Sequence, residues 1–269
     1  MSNDLAKTVS YWDENADVWD AAMLDGSAFQ KTLVEPSTLK FLKPESGKNI
    51  LDLACGNGQM SRVMASLGAH ITAIDGSQNM INRAKQRSEG LAIDYQVADI
   101  TKIEEMSFLE ASSFDAVLCN MALMDIVDFV PVFQLAYKVL KESGVFVFSI
   151  THPCFDKSVG PHVTEMHENE GTVLLERSIK IRQYLMPSAL KTRALPTLPS
   201  AHYFFHRSLQ SYLTAAFEEG FSMCGIAEPA FSHDTDLKEH KGWHELPHVP
   251  VVFIAKFMKS KNMKEANNG

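Results

Sequence analysis

The stretch Asn49 to Arg62, N-I-L-D-L-A-C-G-N-G-Q-M-S-R, restricts the fold more than any other part of the chain. Ile50, Leu51, Leu53 and Ala54 form a short apolar run, the pattern of a strand buried on both faces. The run meets Gly56 and Gly58, and beyond them the period changes. Met60, Val63, Met64 and Leu67 recur at helical spacing until Gly68 ends the helix. Strand, glycine turn and helix in this order build an open parallel sheet, which takes its ligands at the carboxyl ends of its strands. Glycine suits the turn because a side chain would keep a ligand away from the backbone.

A second strand, His70 to Asp75, ends in an acid about twenty residues after the turn, where a carboxylate accepts hydrogen bonds from ribose hydroxyls. The turn departs from the dinucleotide pattern G-x-G-x-x-G, since Ser61 stands in the third glycine's place. Asp52, ahead of the glycines, would repel a pyrophosphate and attract a cationic or zwitterionic ligand.

With these residues the chain resembles the class I S-adenosylmethionine-dependent methyltransferases. D-L-A-C-G-N-G (Asp52 to Gly58) matches their glycine-rich first motif, with Ala54 where many members carry glycine, and Asp75 matches the acidic end of the second strand. Ala98-Asp99-Ile100 matches the motif that reads the adenine, and Phe114 to Asn120 the fourth strand. The resemblance covers most of residues 10 to 150 and, more loosely, 206 to 258. It implies an α/β fold with a Rossmann-like, doubly wound, seven-stranded, mostly parallel sheet, an antiparallel closing hairpin and a lid inserted after the fifth strand. It also implies S-adenosylmethionine as cofactor and S-adenosylhomocysteine as product. On this reading Asp75 and Gly76 hold the ribose and Asp99 and Ile100 the adenine. Asp52, Ala54, Gly56 and Gly58 surround the amino-acid end, and Asn120 lies beside the transferable methyl, where it is also a candidate catalytic residue. Tyr11, on a leading helix that caps such sites, is a candidate contact for the methionine end.

Residues Leu5, Val9, Trp12, Ala16, Trp19 and Met23 mark one face of that amphipathic helix, read as packing on the core. Pro36 to Leu42 is a second helix, and Ser77 caps the helix after the second strand. Ile93, Tyr95 and Val97 alternate as a third strand, with Asp99 just beyond. Val132 to Leu140 reads as a helix closed by Gly144, and Val145 to Ile150 as the fifth strand. The regular alternation then stops. Residues 152–205 form the expected lid, with one or two strands within Thr172 to Leu185, and helix resumes at His206. Residues 1–151 and 206–258 make the expected core, closed by strands at Ser222 to Pro229 and Val249 to Lys256. Residues 259–269 are expected to be a polar, flexible tail.

The transfer of a methyl group from a sulfonium needs alignment and dryness more than a strong base. Where the acceptor holds its proton, histidine suits the task. His152, at the exit of the fifth strand, is the first candidate for catalysis and acceptor contact. Tyr203, Phe205 and His206, with His202 and Phe204 between and before them, could wall an acceptor pocket. His240, His244 and His248 recur in steps of four, but Gly242 and Pro247 break the helix that a metal face would need, so no metal is expected. No G-x-S-x-G elbow supports a hydrolase triad.

Composition narrows the partners. A net charge of -8 and the lack of a Lys/Arg run argue against nucleic acid, and no apolar stretch is long enough to span a membrane. Cys55, Cys119, Cys154 and Cys224 are scattered, as for buried reduced thiols, and the N-terminus lacks a signal pattern, so a cytoplasmic protein is expected. The expected partner is a small organic methyl acceptor, methylated on oxygen, nitrogen or carbon; a homodimer is left open. The alternatives are an NAD(P)-dependent oxidoreductase, a non-catalytic S-adenosylmethionine-binding protein and, more weakly, a protein or RNA methyltransferase.

Overall fold

β1 (Asn49–Leu53) is buried from Ile50 onward because helices cover both faces of the sheet that it centres. In the computed structural model, which describes residues 7–156, 158–231, 246 and 248–260, α1 (Thr8–Met23) leads the chain. A π-helical turn (Gln30–Val34) continues into α2 (Glu35–Leu42) and then β1. There follow α3 (Gln59–Ser66), β2 (His70–Asp75), α4 (Gln78–Arg87), β3 (Ile93–Val97), β4 (Phe114–Asn120), α5 (Val130–Val139) and β5 (Leu140–Thr151). Two hairpins come next, pairing β6 (His162–Asn169) with β7 (Thr172–Ile179) and β8 (Ser188–Thr192) with β9 (His202–His206). α6 (Leu209–Glu218), β10 (Phe221–Ala227) and β11 (Val252–Lys259) complete the order.

The seven-stranded sheet runs β3-β2-β1-β4-β5-β11-β10, and β11 alone lies antiparallel to its neighbours. Strand order reverses at β1, which pairs with β2 on one side and β4 on the other; a crevice opens at such a switch point. Alternate residues feed the two faces. Leu51, Val117, Phe146 and Phe148 pack with α5 and α6 through Phe133 and Tyr212. Ile50, Ile71, Ala116 and Val147 pack with α2, α3 and α4 through Leu42, Met64 and Ile81. Each of the larger of these side chains contributes about 1.5–3 kcal/mol by leaving water.

The leading helix docks differently from the sequence expectation. Its acidic side carries the attachment. Asp13 accepts from Ser77 Oγ (2.7 Å) and Asn79 N (2.9 Å), Asp17 from Arg83 Nη2 (2.7 Å), and Asp20 pairs with Arg87. These carboxylates, three to four residues apart, all meet α4, so the apolar side of α1 is left to face the sheet edge.

Other boundaries move as well. α5 stops at Val139, and Leu140 is already extended (φ -68°, ψ 137°) and pairs with Phe114. The register then shifts before Ala116 pairs with Val145. Gly144 serves this irregularity and not a helix end: a Cβ there would lie 2.8 Å from the Lys141 carbonyl oxygen. β7 falls within the stretch Thr172 to Leu185, as expected, and β6, β8 and β9 add three strands outside it; His206 closes β9 by pairing with Ser188, so α6 begins only at Leu209. Lys259 is the last residue of β11 and donates Nζ to the Leu140 carbonyl, 2.7 Å away, so it is no part of a tail. Leu5, His240, His244, Gly242, Pro247 and residues 261–269 lie outside the described residues. Cys119 is buried as expected, but Cys224 is exposed. Among the described residues no helix is long and apolar enough to cross a membrane.

Gly58, at φ +74°, allows the glycine turn to press on the core: a Cβ would overlap Tyr95 Oη and lie 3.0 Å from Ala84 Cβ. Gly58→Ala is expected to cost about 2–4 kcal/mol from backbone strain plus overpacking. Gly47→Ala, at φ +85° with nothing within 4 Å, should cost only about 1 kcal/mol. The urea unfolding midpoints of the two variants measure the difference.

Candidate active site

The carboxyl ends of β1, β2, β3 and β4 open into one cavity of about 1680 Å³. Of the residues singled out from the sequence, Asp52, Ala54, Gly56, Asp75, Gly76, Asp99, Ile100 and Asn120 line it. Four separate strand ends meet there because a parallel sheet sends every β-to-α connection out at the same edge.

Asp75 ties this edge together. Its Oδ2 accepts from Gly56 N (2.8 Å) and its Oδ1 from Ser77 N (2.9 Å), so one carboxylate braces the glycine turn and the start of α4. An ionised carboxylate offers about four acceptor sites, so two remain for a ligand's hydroxyls. Gly56 (φ +56°) would meet nothing within 4 Å through a Cβ, and its backbone borders open cavity. Asp99 shapes the third loop: its Oδ1 accepts from Thr101 N (3.0 Å) and Thr101 Oγ1 (2.7 Å). Asn120 is held between Ser149 Oγ (2.7 Å, donating to Oδ1) and Gln30 Oε1 (3.5 Å, accepting from Nδ2). Ala54 adopts φ 56°, a left-handed conformation that glycine takes without strain.

Asp52 is 1% exposed. Ser61 Oγ donates to its Oδ2 at 2.5 Å, and Oδ1 has no partner. Burial, opposed by the Ser61 hydrogen bond and reinforced by neighbouring Asp75, pushes this carboxyl up to about 7. Burial raises Asp75 also, against the two backbone N–H groups. Two desolvated acids at the cavity edge, one with an unpartnered oxygen, fit a ligand that brings its own positive charge and hydroxyls. The ammonium, sulfonium and ribose of S-adenosylmethionine meet that description.

The remaining sequence candidates stand elsewhere. Gly58 lies beneath the turn, against Tyr95. Tyr11 is turned off the cavity wall by helical phase; its ring lies 6.2 Å from that of Tyr203 and under Lys191 Nζ. Tyr203 and Phe205 stack on each other at 6.1 Å on one side of β9, while Phe204 and His202, on the other side, line the cavity. His152 is buried, with Nε2 2.8 Å from Glu228 and Nδ1 accepting from Cys154 N, so both ring nitrogens are engaged away from the cavity. His206 binds the Tyr184 carbonyl through Nε2 (2.8 Å), and its Nδ1 lies 3.7 Å from Asp156. Trp12, Trp19, Gln30, Asp125, Thr151 and Arg193, which the sequence did not mark as site residues, line the cavity. Helical periodicity had marked Trp12 and Trp19, but only as core.

A family model described as "Methyltransferase domain" matches residues 44–190. The chain belongs to this family, of the class I, S-adenosylmethionine-dependent kind, and S-adenosylmethionine is its cofactor. It is 26% identical to a solved S-adenosylmethionine dependent methyltransferase from Mesorhizobium loti, with a TM-score of 0.66 over 88% of this chain and 100% of that one. It is 29% identical over 193 residues to the uncharacterized methyltransferase YbaJ of Bacillus subtilis, covering 69% of this chain and 70% of that protein. It is 30% identical over 147 residues to a ubiquinone biosynthesis O-methyltransferase of Actinobacillus pleuropneumoniae, covering 52% of this chain and 58% of that enzyme. The chain thus spans less than two thirds of the length of the first such relatives it matches.

The raised Asp52 carboxyl has a consequence for stability. Between about pH 4 and about pH 7 the folded state keeps a proton that the unfolded chain has released, so ligand-free stability falls as pH rises through that window. Asp52→Asn removes the penalty. At pH 8 it is expected to stabilise the ligand-free protein by about 2–4 kcal/mol, with little effect at pH 4. Denaturant unfolding of both proteins at the two pH values checks this.

Proposed function

We propose that the protein transfers the methyl group of S-adenosylmethionine to a small organic acceptor within this cavity. The observation that carries the reading is the convergence of Asp52, Gly56, Asp75, Asp99 and Asn120, from four strand ends, on one cavity wall. S-adenosylmethionine supplies a methyl group on a sulfonium, which is already a good leaving group. The chain's part is binding, orientation and exclusion of water.

Asp75 takes the ribose hydroxyls on its remaining acceptor sites. Asp99 and Ile100 border the adenine. Gly56 lets the backbone approach the amino-acid end, and the unpartnered Oδ1 of Asp52 receives its ammonium. Val9, Trp12, Trp19 and Met23 of α1 roof the cavity with apolar surface, while the segment 152–205 serves as the lid and supplies Leu190, Arg193 and Phe204 on the acceptor side. Residues 1–151 and 206–258 are the core that carries both. Holding acceptor and methyl group in line in such an enclosure can supply roughly 7–11 kcal/mol of the barrier reduction. The apolar and aromatic lining favours an acceptor with an apolar or aromatic body. The name of the ubiquinone biosynthesis relatives favours oxygen as the methylated atom.

Calorimetric titration with S-adenosylhomocysteine, with NADH in parallel, tests the reading. Micromolar binding of the first and none of the second is expected; the reverse would return the site to an oxidoreductase. Asp75→Ala removes charge-assisted hydrogen bonds of about 1.5–3 kcal/mol and should weaken S-adenosylhomocysteine tenfold or more. Unchanged affinity in a folded variant would remove Asp75 from the ribose site.

A further inference from the structure

Beyond Asn120 the cavity wall carries a pair of groups with no assigned task. Asp125 ends the 3-10 turn Leu123–Asp125 that follows β4, and His202 opens β9. Both line the cavity, and His202 Nε2 lies 3.9 Å from Asp125 Oδ1, beyond hydrogen-bond length but close enough for a small closing movement to join them. The imidazole is 2% exposed, packs on Trp12 with ring centroids 4.5 Å apart, and has no partner for Nδ1.

The turn that presents Asp125 is anchored. Arg207 donates from Nη2 to the carbonyls of Ile126 (2.7 Å) and Val127 (2.6 Å), and from Nη1 to that of Leu123 (3.3 Å). Its donors are aimed at the turn's backbone and hold the carboxyl in place. The other ionisable groups around the pair come from three elements. Tyr212 on α6 has its phenol pushed up to about 12 by burial, Asp156 after β5 accepts from Ser158 N (2.7 Å), and Asp128 follows on the same segment as Asp125. Burial pushes the Asp125 carboxyl well above the usual range and pulls His202 down to about 4.

We propose that Asp125, supported by a neutral His202, is the base that removes the acceptor's proton, and that the acceptor, given the preference for oxygen argued above, is a neutral hydroxyl compound. The proposal rests on the methyltransferase reading and specifies its acceptor class. The acceptor oxygen forms a bond to the methyl carbon, the carbon–sulfur bond breaks with its electron pair going to sulfur, and the hydroxyl proton passes to Asp125. A sulfonium and a carboxylate disappear together, leaving a thioether, an ether and a carboxylic acid. In a water-poor cavity the loss of that charge pair favours the forward step. His202 is a positioning residue: with its ring neutral, Nε2–H donates to the carboxylate and keeps it aimed at the acceptor.

The test needs no acceptor. A positive sulfonium should drive Asp125 to ionise, and a neutral thioether should leave it protonated. Calorimetry of the full chain at pH 7, in buffers of different ionisation enthalpy, counts the protons released with each ligand. S-adenosylmethionine is expected to release about one proton more than S-adenosylhomocysteine. Asp125→Asn should abolish the difference, while Asp52→Asn should keep it and alter only what the two ligands share. His202→Leu should raise the pH at which the difference disappears, and His202→Gln should restore it; no movement would remove His202 from the pair. Equal proton counts for the two ligands, or a difference that survives in Asp125→Asn, would overturn the proposal. Should Asp125→Asn fail to fold, infrared spectra of the wild type decide. A carboxylic-acid band lost with S-adenosylmethionine and kept with S-adenosylhomocysteine, unchanged in Asp52→Asn, is expected; its absence, or its loss in Asp52→Asn, overturns the assignment. If neither ligand binds, the methyltransferase reading falls first and this proposal with it.

Discussion

One carboxylate joins the parts on which the site depends. Asp75 receives the N–H of Gly56 from the first loop and that of Ser77 from the second, so the glycine turn and the start of α4 are set by the same side chain. Ser77 in turn caps α4 by accepting from Met80 N at 3.1 Å, and its hydroxyl donates to Asp13 on α1. Glycine turn, helix start and roof helix are therefore linked through two neighbouring residues. The cost is a second, partly buried acid near Asp52. A positively charged ligand at this edge would relieve both acids, in keeping with the function proposed above.

The roof shows how polar attachment and apolar function divide one helix. α1 binds α4 through Asp13, Asp17 and Asp20, and turns Val9, Trp12, Trp19 and Met23 over the cavity. Such ion pairs add little stability where they are exposed. Their effect here is orientation: they decide which side of the helix looks inward. The wall that carries Asp125 is shaped in the same manner by Arg207, which binds backbone carbonyls of the turn behind Asp125 and so anchors that turn from the start of α6.

Legibility in the sequence followed the strength of the local signal. β1 to β4 match their sequence readings closely, because each is a short apolar or alternating run that ends at or near glycine, asparagine or an acid. The end of α5 was missed because Leu140 is apolar and suits helix or strand equally; pairing with Phe114 draws it into the sheet. His206 directly precedes the helical pattern of Leu209 to Phe217, so the sequence places the helix start there, but its pairing with Ser188 puts it in β9. The cavity-lining residues Asp52, Gly56, Asp75 and Asp99 were legible because they fall at the ends of β1, β2 and β3, and a parallel sheet gathers strand ends on one edge. His152 satisfied that same rule and yet lies off the cavity, since Glu228 and the Cys154 N–H take its ring.

The sequence by itself determined the alternation of strands and helices between residues 49 and 151 and the acidic, glycine-lined edge, because these follow from periodicity and from residues that act where the chain places them; the doubly wound class followed from the family resemblance that those residues carry. Tertiary structure decided which side of α1 faces the cavity, which aromatics of β9 point into it, and the meeting of Asp125 with His202. Those choices depend on long-range partners: Asp13 with Ser77, Ser188 with His206, Arg207 with Ile126 and Val127. A local pattern can mark a residue as apolar or ionisable. Only packing between distant segments can say what it will touch.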